Sequence, residues 1–398
     1  MKPYKVCLTT LEYPPDVGGV GESVSRIARM LLELGYDVHV AVFHSKQRKE
    51  GEFKRGRTQT TVRDGIYVHR LQPAIRSSEP IMQDYLSEIY FQLDRLHQQI
   101  GFDLFHGFFI NETGFLTTLL ARECDVPVIN SVRGSDLHKH LFNPKQHGQI
   151  VWTLENSNWV TFVSRDLQAR ANVLVPGLTS KSVAFWNSIA PVDFDRLPAP
   201  PEIDRLQGLV IGAVGRFRDK KGLEFLLDAC AELQTELALT LLLVGDFAER
   251  ERQYWQQEIE NSGMLDRTIV TGLLARQQAL AYLPYIDVMA IPSLHDGCPN
   301  ALLEAMLASR AIVGTRVDAI GEILEDGTDG LLVSPGSSQE LTQAVRQLAR
   351  SPQQRQKLGH AARSKALQQL SPQVEQSNWR KVYERVLPTS QLSVAAIA

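Results

Sequence analysis

Apolar positions along this chain follow two alternating rhythms. Residues 4–10, 36–43, 65–71 and 126–132 form short apolar runs, too brief for helices and well supplied with Val, Ile and Leu, which predicts strands. Between them, residues 20–34, 81–99 and 112–123 place apolar side chains three and four positions apart, the period of a helix with one face on a core. Short runs at 103–106, 159–163 and 182–186 continue the strand series. The same alternation restarts at 208–214. It passes through a helix at 223–233, strands at 237–244, 269–272 and 286–291, a helix at 301–308, and strands at 311–315 and 330–333. Residues 237–244 are apolar but for Thr240, as suits a strand buried on both faces. The Gln-rich tract 339–376 keeps helical spacing, and 377–387 predicts a last helix. Strands alternating with helices predict α/β units with parallel, doubly wound sheets.

The break in this rhythm falls at 189–207, where Pro191, Pro198, Pro200 and Pro201 stand without hydrophobic period, as in an interdomain linker. At 398 residues the chain is too long for one core, so two domains are expected, 1–188 and 208–370, with a loose tail at 389–398. Residues 44–62 gather Lys46, Arg48, Lys49, Lys54, Arg55 and Arg57, with Glu50 and Glu52 as the acids. Two readings fit this stretch. It is a solvated mobile loop, or a basic lip at 46–57 that touches anionic lipid or an acidic acceptor.

Charge and cysteine usage narrow the function. A net charge of −3 argues against a nucleic-acid partner. Cys7, Cys124, Cys230 and Cys298 are scattered, with neither metal-ligand spacing nor a disulfide framework, which suits a reduced, cytoplasmic chain. No signal-peptide core follows Met1, and no run reaches the ~18 apolar residues that span a bilayer, so any membrane contact is expected to be peripheral, at the inner face.

Candidate chemistry sits where predicted strands end. The first strand runs into Gly18-Gly19, a small-residue loop that lets backbone approach a phosphate or sugar; its spacing does not match the dinucleotide fingerprint. Arg133 and Asp136 follow another strand end, as ligand residues or as a surface pair and cap. The turn Gly215 to Gly222 crowds Arg216, Arg218, Lys220 and Lys221, enough cation to neutralise a diphosphate, with a solvated charged turn as the alternative. Residues 292–306 read as strand end, Pro/Gly loop and helix start, which points backbone N–H groups at a ligand. Asp296 and Glu304 frame that junction. Two acids beside an anion site suit the hydroxyls of a ribose or hexose, although an Asp-Gly turn and the helix dipole would also place them there.

Taken in order, these residues resemble the retaining nucleotide-sugar glycosyltransferases of the GT-B fold, family-four (glycosyl transferases group 1) type, over residues 4–387 and most strongly over 215–336. The Gly-Arg…Lys-Gly turn of that family stands here as Gly215-Arg216…Lys221-Gly222, and its two acids, seven residues between them, as Asp296 and Glu304. The resemblance implies two Rossmann-like domains facing each other across a cleft, with a helix at 371–388 crossing back to the first domain. It implies that Arg216 and Lys221 hold the donor diphosphate, Glu304 the ribose and Asp296 the hexose. The N–H groups around Pro299-Asn300-Ala301 would meet the phosphates, and Gly297, Cys298, Gly215, Gly18, Gly19, Arg133 and Asp136 would complete the donor site. Asn187-Ser188-Ile189 matches the segment that ends the first domain. Three positions depart from the family: Asp296 replaces Glu, Arg133 replaces His, and Asp318-Ala319-Ile320-Gly321-Glu322 replaces Gly-Gly-x-x-Glu.

The expected function is therefore transfer of a hexosyl group, with retention, from a nucleotide-diphosphate sugar (UDP- or GDP-linked) to a saccharide or lipid-linked hydroxyl, in cell-surface polysaccharide or glycolipid synthesis. The usual Asp-x-Asp metal motif is not evident, so metal-independent transfer is expected, with no cofactor. A nucleotide-sugar-binding homologue without catalysis, and an epimerase or phosphorylase on the same fold, are the rival readings.

Overall fold

Each series of short apolar runs closes into its own sheet. The computed structural model describes residues 2–16, 18–44, 53–76 and 82–388, residue 82 by its backbone alone. The chain divides into two compact units, one from the described residues of Met1–Phe185 and Glu375–Ala398, the other from Trp186–Val374.

The first unit is built on β1 (Lys5–Thr10), β2 (Asp37–Phe43), β3 (Arg57–Arg63), β4 (Ile66–Gln72), β5 (Leu104–Phe108), β6 (Val128–Val132), β7 (Trp159–Phe162) and β8 (Ser182–Ala184). They lie side by side in the order β3-β4-β2-β1-β5-β6-β7-β8, and all pairs but β3/β4 are parallel. Helices cover both faces, which is why the central strands are apolar rather than alternating. On one face Val6, Leu8, Val38 and Val40 meet Val24, Ile27 and Leu31 of helix Gly19–Glu33, with Trp379 and Tyr383 of the last helix, Pro372–Val386. On the other, Cys7, Ala41 and Phe105 meet Tyr85, Ile89 and Leu93 of helix Met82–Ile100 and Leu116 and Leu120 of helix Glu112–Glu123. Tyr383 is wholly buried and its hydroxyl lies 2.9 Å from Nδ1 of His106 on β5.

One sequence expectation fails here. Residues 57–62, read as part of a solvated loop, belong to β3, an antiparallel edge strand hydrogen-bonded to β4. The turn is Asp64-Gly65, both left-handed at φ 51° and 80°, the backbone that suits the twist of a two-residue hairpin. Every residue of β3 is exposed, so it carries no apolar alternation; the legible signals were the Asp-Gly pair and the β-branched Thr58, Thr60, Thr61 and Val62. Lys46, Arg48 and Lys49 of the basic stretch, and the expected tail at 389–398, lie outside the described residues. Apolar spacing also did not single out helices Pro144–Asn156 and Arg165–Leu174, whose starts are capped by Asn143 and Ser164.

The second unit holds β9 (Leu209–Phe217), β10 (Leu239–Phe247), β11 (Thr268–Val270), β12 (Val288–Ile291), β13 (Ala311–Thr315) and β14 (Leu331–Val333), all parallel, in the order β11-β10-β9-β12-β13-β14. The chain steps outward from β9 to β11, then returns to β12 on the far side of β9. That reversal leaves a crevice outside the carboxyl ends of β9 and β12, where open α/β sheets bind ligands. In the first sheet the same reversal lies between β1 and β5. The Pro-rich stretch 189–207 does not run free: Ile189 is buried, and Val192, Phe194, Leu197 and Leu206 pack on the second unit's core.

Candidate functional site

The reversal point of the second sheet brings together two loops distant in sequence. β9 ends at Phe217 and turns through a short 3-10 segment, Asp219–Lys221, into helix Leu223–Leu233. β12 ends at Ile291 and leads into helix Asn300–Leu307. Gly222 makes the approach possible. Its φ is 61°, and a Cβ there would stand 2.1 Å from the Pro292 carbonyl oxygen, so no other residue fits without moving backbone. Beside it, the Leu294 N–H donates to the Lys220 carbonyl at 2.9 Å.

This contact sets Lys221 Nζ 2.5 Å and Lys220 Nζ 3.4 Å from the Asp296 carboxylate. Burial would raise the Asp296 pKa, but the Lys221 and Lys220 ammonium groups outweigh it and hold it at about 2. Asp296 is therefore an anion held between two cations. A small crevice adjoins Lys221, lined by apolar Phe217, Leu223, Ala290 and Pro292 among others.

The 296–300 loop is pinned from several sides. The Asp318 carboxylate accepts the Asp296 N–H at 2.8 Å, the Ala319 N–H donates to the Gly297 carbonyl at 3.3 Å, and the Asn187 amide donates to the Cys298 carbonyl at 3.1 Å. Gly297, Cys298 and Pro299 thus deliver Asn300 and Ala301 to the first turn of a helix that has no side-chain cap. Its leading N–H groups remain the local positive end of the helix. One turn in, buried Glu304 accepts from Nε of Arg276 at 3.2 Å. Gly215 lies on β9 opposite Gly245. Arg216 is exposed at that strand's end, opposite Asp246, whose carboxylate takes an Arg252 bond at 2.6 Å.

The remaining expected residues belong to the first unit. Gly18 and Gly19 open helix Gly19–Glu33 at the end of the loop after β1, and the Glu12 carboxylate packs against Gly18. Arg133 follows β6. Asp136 is wholly buried and turns its carboxylate back onto the N–H groups of Arg133, at 3.2 Å, and Gly134, at 2.8 Å. Burial raises its pKa, and those backbone bonds oppose the rise.

Three features escaped the sequence reading. Arg276 lies 28 residues from Glu304, and no periodicity marks it. Asp318 stood out only as a departure from a motif, with nothing to say that its carboxylate reaches Asp296. An Asp-x-Asp does occur, as Asp193-Phe194-Asp195, at the start of a 3-10 turn where Asp193 pairs with Arg196 at 3.0 Å.

Comparison with known proteins identifies the family and the fold. The glycosyl transferases group 1 model matches residues 208–351, and the glycosyl transferase 4-like domain model matches residues 18–176. The MMP alpha-(1->4)-mannosyltransferase of Mycolicibacterium hassiacum is 25% identical over 99% of both chains. Among solved structures, the sucrose-phosphate synthase of Thermosynechococcus elongatus superposes with a TM-score of 0.79 at 17% identity, over 97% of this chain and 100% of that one. HepE of Anabaena, in complex with UDP and glucose, gives 0.74 at 19% identity, over 96% and 100%. The two family models lie in the two units in turn and the fold is shared over nearly the full length: the chain belongs to the GT-B glycosyltransferases of the family-four (glycosyl transferases group 1) type.

Proposed function

We propose that this glycosyltransferase moves a hexosyl group from a UDP- or GDP-sugar to a hydroxyl acceptor, with retention of anomeric configuration and without a metal ion. The observation that carries the reading is the pair of lysines closed on Asp296 at the sheet's reversal point, beside an uncapped helix start. Breaking a glycosyl–phosphate bond leaves negative charge on the departing diphosphate. Lys221, Arg216 and the amides of Asn300 and Ala301 stabilise that charge as it develops, the contribution a bound metal would otherwise make. Glu304 holds the ribose hydroxyls and Asp296 those of the hexose. Lys221 and Asp296 then neutralise each other until the donor's phosphate and hydroxyls replace the internal pair. In retention by attack from the leaving-group face, the donor phosphate takes the acceptor proton and no enzyme nucleophile is required.

The nucleotide donor is supported by HepE, whose structures are named with UDP, with UDP and glucose and with UDP-glucose. The acceptor is a saccharide or lipid-linked saccharide of the kind used in cell-surface polymer or glycolipid synthesis. Lys54, Arg55 and Arg57, all exposed at the edge of the first sheet, supply a basic surface for anionic lipid at the inner face of a membrane. No helix among the described residues is long and apolar enough to cross one.

The direct test is a thermal-shift panel of UDP-, GDP- and ADP-sugars, followed by donor hydrolysis and transfer with each hit in the presence of EDTA. NMR of the product reads the anomeric configuration. Stabilisation by one nucleotide series, EDTA-resistant turnover and a retained anomer are expected; a protein stabilised by no nucleotide would end the proposal.

A further inference from the structure

Asp318 is a carboxylate with an unusual placement. It opens the short helix Asp318–Ile323 with φ at 42°, a left-handed backbone that side chains other than Gly, Asn and Asp seldom adopt. Such a conformation persists when the surroundings over-determine it. That helix has no side-chain cap. The Asp318 carboxylate instead reaches 22 residues back and accepts the peptide N–H of Asp296 at 2.8 Å, with Asp318 only 6% exposed. Two further bonds hang the same loop from the same segment: Thr315 Oγ1 donates to the Ser293 carbonyl at 2.6 Å, and Ala319 N–H to the Gly297 carbonyl at 3.3 Å.

The side chain of Asp296 therefore leaves a backbone fixed on one side by Asp318 and is held at its tip by Lys221 and Lys220 on the other. Once a donor phosphate claims the lysines, the Asp318 bond, which acts on the Asp296 peptide itself, remains to hold its Cα, beside the Ala319 and Thr315 bonds to the neighbouring carbonyls. A carboxylate that must meet a particular hexose hydroxyl depends on where its Cα stands, because a side chain of one rotatable CH₂ cannot compensate for a displaced backbone.

We propose that Asp318 is the positioning residue for donor-sugar recognition: through the Asp296 peptide N–H it aims the Asp296 carboxylate at the transferred hexose. The proposal rests on the reading of Asp296 as the hexose contact. It assigns Asp318 no contact with the nucleotide, so its effect is confined to the sugar.

The experiment compares binding of UDP with binding of UDP-glucose, or the guanosine pair if the donor panel selects it, by calorimetry on the full chain. The quantity read is the extra affinity the sugar confers over the bare diphosphate. Asp318→Gly removes the carboxylate and suits the left-handed backbone, so the variant folds. Asp318→Asn retains an acceptor oxygen. Expected is UDP affinity within about twofold of wild type in both, a roughly tenfold loss of the sugar increment in Asp318→Gly, and recovery of most of it in Asp318→Asn, the scale of one well-placed hydrogen bond. An unchanged increment in Asp318→Gly, while Asp296→Asn abolishes it, would overturn the role of Asp318 and leave that of Asp296 standing. If Asp296→Asn itself keeps the increment, the reading of Asp296 fails and this proposal with it. Loss of UDP affinity equal to that of UDP-glucose in Asp318→Gly would also overturn it, since the residue would then be shaping the whole site.

Discussion

Lys221 has a structural role and, in the proposed reaction, a chemical one, and the two differ in size. Its ion pair with Asp296 is partly buried, with side chains 22% and 12% exposed, so the pair contributes about 1–2 kcal/mol at most after desolvation. Stabilising a leaving diphosphate is worth far more. Lys221→Ala is accordingly expected to lower the melting temperature by only a few degrees while turnover falls about a hundredfold or more. Near-normal turnover in that variant would remove Lys221 from the chemistry. The pH dependence has a definite sign. Asp296 is held at about 2 against 3.8 for the ordinary carboxyl, so its paired form is fully present above pH 3.8 and is lost as pH falls through 2. Donor affinity should not acquire an acid limb from Asp296 anywhere above about pH 5. A limb near pH 6 that disappears in Asp296→Asn would contradict that environment. The sequence pointed to Lys221, Asp296 and Glu304 as members of one site. It could not show that Asp296 and Lys221 touch, nor that Arg276 pairs with Glu304, because those pairs are made between elements.

At the scale of elements, the turns decide where the chemistry stands. Gly222→Ala must move the Pro292 carbonyl or abandon a left-handed turn, and with it the placement of Lys221. A loss of about 3 kcal/mol in denaturant unfolding and a turnover defect larger than its stability effect are expected. A milder outcome is expected at Gly65 in the β3–β4 hairpin, where a Cβ would lie 3.2 Å from a flexible Leu32 methyl. Gly65→Ala should cost about 1 kcal/mol, chiefly from its φ of 80°, and leave donor binding untouched. The two glycines also mark what was readable. The central strands and helices such as Glu112–Glu123 and Leu223–Leu233 announced themselves because burial on two faces, or on one helical stripe, writes a pattern into the apolar residues. β3 did not, since an edge strand exposed along its whole length has no buried face to write one.

The whole molecule is two α/β units, and the last helix belongs to the first of them although it follows the second in sequence. Trp379 and Tyr383 fill the first unit's core, and Arg26 pairs with the buried Glu375 at 2.8 Å. A chain ending at Val374 should therefore lose the cooperative unfolding of its first unit. A fragment of residues 186–374 should fold and still be stabilised by nucleotide diphosphate. Calorimetry of both fragments would check this, and a 186–374 fragment that folds without binding any nucleotide would place the donor site elsewhere. The first unit should also weaken in acid. Burial, with Arg133 nearby, lowers the His106 pKa to about 3, so the stability gained by keeping it neutral is complete above its ordinary 6.5 and is lost as pH falls toward 3. His69, lowered to about 4 by burial and by His39, acts in the same direction. The fall in melting temperature between pH 7.5 and 5 should shrink in His106→Asn.

The chain's own sequence determined the parallel α/β class, the restart after the Pro-rich break, and the charged and small residues that stand at the strand ends. Periodicity and turn chemistry are local, and local pattern is what a sequence displays. Tertiary structure alone decided which strand ends became neighbours. The reversal of strand order between β9 and β12 brought Lys221 to Asp296 across 75 residues, and the β13 end brought Asp318 beneath it. Contacts of that separation depend on the order in which strands pack, and no short stretch of sequence carries it.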